Sequence, residues 1–203
     1  MNIRFDHRVL RPRPWTIAQS EWVLELIDDL PDGSILELCA GVGQIGLAVV
    51  LVVPRQLVLV DANPAACTYA RENAHEAGLT SVEFRTGLMD QVLAPDERFA
   101  LIIADPPWVP SADTARFPED PPLAIDGGAD GLTLVRTCVR LISDHLLGGG
   151  AAILQVGGAA QVAAVRTFIG THPTIDLTIR SVREPAGGGA LILLTCQRSG
   201  VNR

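Results

Sequence analysis

Asp105-Pro106-Pro107-Trp108 places an acid, two backbone-fixing prolines and an aromatic ring in succession. Pro106 has no N–H, yet its carbonyl and the Asp105 side chain can both accept hydrogen bonds from one NH2 group. Trp108 adds a flat face for a planar substrate. Such a clamp would aim the lone pair of a planar nitrogen at an electrophile, so that positioning and desolvation, rather than a strong base, carry the rate. Taken alone, the four residues also suit an ordinary proline loop after a buried strand.

Two further features bear on the choice. Gly41-Val42-Gly43-Gln44-Ile45-Gly46 has the GxGxxG pattern of a tight turn that lets backbone approach a ligand. Asp61 follows about 20 residues later, where an acid pairs with ribose hydroxyls. This match does not separate a dinucleotide from another adenosine cofactor. Glu37 helps to separate them: it lies inside a strand, where a dinucleotide fold keeps an apolar residue. A carboxylate there is costly unless paired, and a cationic amino group on the ligand would pair it.

The elements that must position these residues alternate between strand and helix. Thr16 opens an amphipathic stretch (Ile17, Trp22, Val23, Leu26, Ile27, Leu30), and Thr16 and Gln19 have capping-box spacing. Strands are expected over Ser34–Cys39, Gln56–Val60, Val82–Arg85, Phe99–Ala104 and Ala151–Val156. Asn63-Pro64 supplies an N-cap and first-turn proline for a helix over Ala65–Ala77. Gly131–Leu147 reads as a helix stopped by Gly148-Gly149-Gly150, and Ala159–Ile169 as another. Residues 106–130, rich in Pro, Asp and Gly, read as a long functional loop.

Ile175–Arg183 and Ala190–Gln197 end the pattern as two strands without a helix between them, so one of them must run antiparallel to its neighbour. The fold class expected is therefore α/β: a Rossmann-like, seven-stranded, mostly parallel sheet closed by a C-terminal antiparallel hairpin. Gly41, Asp61 and Asp105 then all fall beyond the carboxyl ends of strands, where such sheets bind ligands.

Composition narrows the classes. The chain has 203 residues, 48% of them hydrophobic, enough for one domain with a sizeable core. The apolar run Ile45–Val53 is about half of the roughly 20 residues a spanning helix needs, so no membrane partner is expected. The net charge of −7 disfavours nucleic acid without excluding it. Cys39, Cys67, Cys138 and Cys196 form no CxxC pair, and His7, His75, His145 and His172 have no metal or triad spacing. No metal is expected, and reduced thiols point to a cytoplasmic protein. Residues 1–15 are basic and proline-punctuated and read as a solvated arm, with residues 16–203 as a single domain.

Glu37-x-Cys39-x-Gly41-x-Gly43 resembles the first motif of class I S-adenosylmethionine-dependent methyltransferases, whose fold also ends in a hairpin. Asp105 to Trp108 resembles the (Asn/Asp)-Pro-Pro-aromatic motif of enzymes that methylate amide or exocyclic amino nitrogens. Val9 to Thr16 (VLRPRPWT), Asp105 to Asp113 (DPPWVPSAD) and Pro122 to Leu132 (PLAIDGGADGL) narrow the likeness to the HemK/PrmC family, over roughly residues 8–197. Those enzymes methylate the glutamine amide of the Gly-Gly-Gln motif in peptide-chain release factors.

The resemblance implies S-adenosylmethionine held by Glu37, Cys39, Ala40, Gly41, Val42 and Gly43, with Asp61 and Ala62 at the ribose. Leu88 and Met89 would flank the adenine and Thr16 help close the pocket. Asp105, which would also border the cofactor, and Pro106, Pro107 and Trp108 would hold the substrate nitrogen of a release factor-like protein. Four departures stand out. The family usually has Asn at Asp105 and Tyr at Trp108, Gly at Cys39, and an acid at Leu88. Bacterial members also carry an N-terminal helical substrate domain, expected to be largely absent here. Other readings of the residues are methylation of a base amino group or a small molecule, a nicotinamide dehydrogenase, and a non-catalytic partner subunit.

Overall fold

The computed structural model describes residues 1–13 and 16–196. Pro14 and Trp15 of the arm, and residues 197–203 with Gln197 of the expected last strand, lie outside the described residues. Seven strands form one sheet: β1 (Ile35–Leu38), β2 (Leu57–Asp61), β3 (Val82–Thr86), β4 (Phe99–Ala104), β5 (Leu146–Val156), β6 (Leu177–Arg183) and β7 (Ala190–Cys196). Their order is β3-β2-β1-β4-β5-β7-β6. β7 lies antiparallel between β5 and β6, while β1 to β5 pair in parallel, as the sequence pattern predicts.

Helices α1 (Ile17–Leu26), α2 (Gln44–Val50) and α3 (Pro64–Glu76) cover one face; α5 (Thr133–His145) and α6 (Ala159–Thr171) cover the other. Strand alternation dictates this division. Ile35, Leu57, Leu59, Leu101, Ile103 and Ile153 point toward Trp22, Val23, Ile45, Leu47 and Ala70, whereas Leu36, Leu38, Val58, Ile102 and Leu154 point toward Val135, Val139, Ile142 and Val165. Each such aliphatic side chain, once buried, stabilises the fold by about 1.5–3 kcal/mol. The chain builds outward from β1 to β3, then crosses back so that β4 pairs with β1 on its other side. Leu38 aligns with both Val60 and Ala104, which brings the loops after β1, β2 and β4 together at this reversal point.

Local signals held where their partners are local. Asn63 Oδ1 accepts the Ala65 N–H at 2.9 Å, capping α3 ahead of Pro64. The capping box of α1 does not form. Thr16 Oγ1 donates instead to the Arg13 carbonyl, and Gln19 is fully buried, its Nε2 donating to the carbonyls of Ala104 and Ile153. The demand of two buried strand carbonyls outweighs a local cap. The glycine triplet does not stop α5, which ends at His145; it lies inside β5, where any Cβ on Gly150 would sit 2.7 Å from the Ala100 carbonyl oxygen. Residues 106–130 contain a 3₁₀ turn (Ser111–Arg116) and a short helix α4 (Pro122–Ile125), and a parallel bridge joins Val109 to Asp126.

The basic arm is docked rather than solvated. Arg4 exchanges backbone hydrogen bonds with the Asn73 side chain, Asn63 Nδ2 donates to the Arg8 carbonyl, and Val9 is buried against Val42 and Ala66. Arg8 is turned onto Asp6 and the Tyr69 ring.

Candidate active site

The turn after β1 is held from below by two acids. Asp61, at the end of β2, accepts the Gly41 N–H on Oδ2 at 2.7 Å and the Asn63 N–H on Oδ1 at 2.8 Å. Glu37, in β1, accepts the Gly46 N–H on Oε2 at 2.9 Å. That bond explains the last glycine of the motif: a Cβ at Gly46 would lie 2.3 Å from Glu37 Oε2. The turn itself needs left-handed backbone at Cys39, Gly41 and Gly43 (φ 56°, 54° and 81°), and Cys39 adopts it despite its side chain. The Cβ direction of Gly41 is open, so a ligand can approach the backbone there.

A cavity of about 360 Å³ opens above these turns. Of the residues singled out from the sequence, Cys39, Ala40, Gly41, Asp61, Ala62, Leu88, Met89, Asp105 and Pro107 line it. Thr16, Glu37, Val42, Gly43, Pro106 and Trp108 are not in its wall. Glu37 faces Gly46 rather than the cavity, and Val42 is buried under Val9. The Trp108 ring packs over Gly157, whose Cβ would fall 2.7 Å from Cε3, and the Trp108 carbonyl accepts the Gln161 side-chain amide. Its ring thus lies against the turn that follows β5 and outside the cavity wall.

Several wall residues were not legible from the sequence. Val9 and Leu10 come from the arm, Leu123 and Ala124 from α4, and Leu134 and Thr137 from one face of α5. The spacing of the last pair is the one local signal among them. Gln44, the first residue of α2, also lines the cavity, and its Oε1 is buried with no hydrogen-bond partner among the described residues. Arg13 grips Asp120 with one guanidinium nitrogen against both carboxylate oxygens, fastening the arm to the loop that carries α4.

The Asp-Gly-Gly-x-Asp-Gly-Leu stretch acts as scaffold for the loop after Pro107. Asp126 Oδ1 accepts from Ser111 Oγ at 2.6 Å and from the Gly128 N–H at 2.8 Å. Asp130 accepts the Leu132 N–H and pairs with Arg136. Gly131 packs directly on the Trp108 carbonyl, leaving no room for a Cβ.

Burial dominates the electrostatics. It pushes Glu37 up to about 8, the Gly46 N–H opposing and the charges of Asp105 and Asp61 adding to the rise. Burial alone lifts Asp105 to about 7 and also raises Asp61, whose backbone hydrogen bonds from Asn63 and Gly41 pull the other way. Contact with Cys138, then burial, drives the Cys39 thiol well above its ordinary value. Among the described residues no cluster of His, Cys, Asp or Glu could hold a metal ion, and no helix is long and apolar enough to cross a membrane.

Comparison with known proteins fits this architecture. Residues 18–117 match the methyltransferase small domain family. The release factor glutamine methyltransferase of Deinococcus radiodurans is 34% identical over 91% of this chain and 69% of its own length. That of Moorella thermoacetica is 38% identical over 78% of this chain, which spans 55% of the relative. The crystal structure of the ribosomal protein L11 methylase from Lactobacillus delbrueckii subsp. bulgaricus superimposes with a TM-score of 0.69 at 16% identity, over 97% of this chain and 86% of that one. This last likeness shows the fold alone.

Fold and cavity together define a class I methyltransferase, with S-adenosylmethionine as the methyl donor. The chain belongs to the release factor glutamine methyltransferase family, the HemK/PrmC group. The cavity suits that donor: an open glycine turn, an acid with spare lone pairs at Asp61, apolar walls at Leu88, Met89 and Leu134, and the orphaned Gln44 oxygen.

Proposed function

We propose that this methyltransferase acts on a protein glutamine side-chain amide, that of the Gly-Gly-Gln motif in a peptide-chain release factor. The observation that carries the reading is the placement of Asp105 and Pro107 in the wall of the cavity that also holds Asp61 and the glycine turn. A planar NH2 group held there lies beside the cofactor, and relatives at 34% and 38% identity bear the matching name. Bound S-adenosylmethionine supplies an electrophilic methyl group on a sulfonium.

In this reading Asp61 receives the ribose hydroxyls on lone pairs left free by Gly41 and Asn63. Gln44 Oε1 accepts from the ammonium of the methionine part, and Leu88 and Met89 flank the adenine. Glu37 acts at one remove, fixing the turn through Gly46. The Asp105 carboxylate accepts an N–H of the substrate, turning the nitrogen lone pair toward the methyl group. Val9, Leu10, Leu123 and Ala124 exclude water from above. The described residues act as one methyltransferase domain with the arm as part of the cavity, working in the cytoplasm where release factors act.

The test is transfer of labelled methyl groups to a host lysate, with parallel protease and nuclease digestion. Protease-sensitive label mapping to a release-factor glutamine is the expected result. Label confined to nucleic acid or to small molecules would leave the fold and cofactor in place and overturn the substrate.

A further inference from the structure

The wall of the cavity carries four titratable groups, and three of them differ from the fourth in what they can do with a proton. Cys39, just after β1, is a half-buried thiol in contact with Cys138, which holds its proton well above the ordinary range. Asp61, at the end of β2, has each carboxylate oxygen committed to a backbone N–H. Asp90, after β3, is exposed to water. Glu37 lies behind the wall on Gly46. The arm contributes Val9 and Leu10, α4 contributes Leu123 and Ala124, and α5 contributes Leu134 and Thr137; none is ionisable, and among the described residues no Arg or His is in the wall.

Asp105 is the remaining group. Its backbone is fixed at the end of β4, the N–H reaching the Leu38 carbonyl at 3.4 Å, while its carboxylate has no hydrogen-bond or ion-pair partner among the described residues. A carboxylate aimed into a cavity with both oxygens uncommitted is a proton acceptor as well as a hydrogen-bond acceptor. An amide in the same place would accept the same N–H but could not keep a proton.

We infer that Asp105 takes the proton that the acceptor nitrogen must shed as it is methylated, which makes it a catalytic base and not only a positioning group. The inference rests on the reading that this site methylates a nitrogen. The nitrogen lone pair forms the bond to the methyl carbon, and the carbon–sulfur bond breaks with its electron pair remaining on sulfur. The nitrogen then carries a positive charge and both of its hydrogens. One proton passes to Asp105, leaving a neutral N-methyl nitrogen and a carboxylic acid, and the acid returns its proton to water once the product leaves. Burial supports the role, because an acid held at about 7 can both collect and release a proton near neutral pH. The sequence predicts that positioning and desolvation, rather than a strong base, carry the rate; Asp105 adds a weak base to them.

Two measurements on the full chain test the inference. The first is a carbon-13 titration of aspartate carboxyls in the wild-type protein and in Asp105→Asn, which needs no acceptor substrate. A carboxyl resonance titrating near 7 that disappears in the variant is expected; titration near the ordinary 3.8 overturns the inference. The second is the pH dependence of single-turnover methylation, using whichever nitrogen acceptor the label experiment identifies. Wild-type rates should fall about tenfold per pH unit below 7, and Asp105→Asn should be flat with pH and about 100-fold slower at pH 8. A variant that keeps the acidic limb, or equals the wild type at pH 8, overturns the inference. Binding of S-adenosylhomocysteine within tenfold of wild type, by calorimetry, verifies that the variant is folded. A release factor left unmethylated sinks the substrate reading alone, because the carboxyl titration still decides for or against Asp105.

Discussion

The two halves of the cavity are built by different means. The half after β1 and β2 consists of short turns closed by backbone N–H groups on two nearby acids, Asp61 and Glu37. The half after β4 consists of a long loop stapled by side chains from distant segments: Gln161 to the Trp108 carbonyl, Asp126 to Ser111, and Arg13 to Asp120. The first half therefore tolerates little change in any one residue, and the second distributes its support over several. A cofactor of fixed shape suits the former; a loop that must receive a second molecule suits the latter.

Mutations should separate the halves, and the largest effect is expected at their seam. Asp105→Ala should lower turnover about 10³-fold while leaving cofactor affinity within tenfold, read by single-turnover rates and calorimetry. Turnover near wild type would remove Asp105 from the chemistry. Within the first half, Gly46→Ala forces a methyl group onto Glu37 and should cost about 2 kcal/mol of stability in denaturant melts, with weaker cofactor binding besides. An equal loss from Gly170→Ala, a helical glycine that meets nothing within 4 Å, would show that the effect belongs to glycine replacement in general and not to Glu37.

Glu37 also gives a pH signature. In the fold its carboxyl holds a proton up to about 8, whereas the unfolded chain releases it near 4.5. The stabilisation that comes from this is complete below 4.5 and is lost as the pH rises through 8. Glu37→Gln should flatten that decline, leaving the variant up to about 5 kcal/mol more stable relative to wild type at pH 9 than at pH 4. Parallel stability–pH curves would break the claim. In the second half, Arg13→Ala opens one staple among several and should cost about 1 kcal/mol and a few-fold in cofactor KM, with turnover nearly unchanged. Asn63→Ala, which removes only a helix cap, should cost about 1 kcal/mol with no change in KM beyond twofold.

The same division governs what the sequence could reveal. The first half was legible because its partners are near in sequence: the glycine turn, the Asn63 cap and the strand-end acid all sit within one β–α–β unit, and the strand–helix alternation reports the sheet. The second half was only partly legible. Asp105 and Pro107 stood out by type, but the direction of the Trp108 ring depends on Gly157, in the turn that follows β5. Val9 and Leu10 belong to a segment whose composition suggested a solvated arm, and they line the cavity because Asn73 and Asn63 hold the arm's backbone. Gln19 had the spacing of a local cap, yet two strand carbonyls far along the chain claimed it. In each case a contact of long sequence separation outweighed a local preference.

The insertion of β7 between β5 and β6 has a consequence for how the molecule comes into being. Until residues 190–196 have left the ribosome, β5 ends the sheet with an unpaired edge of buried-type residues, Ala151 to Val156, and β6 has no strand to join. The nascent chain therefore carries a sticky intermediate while residues 157–196 are being made, a matter of seconds at ordinary elongation rates. The sheet is completed only when β7 arrives, although the chemistry is set by residues made long before.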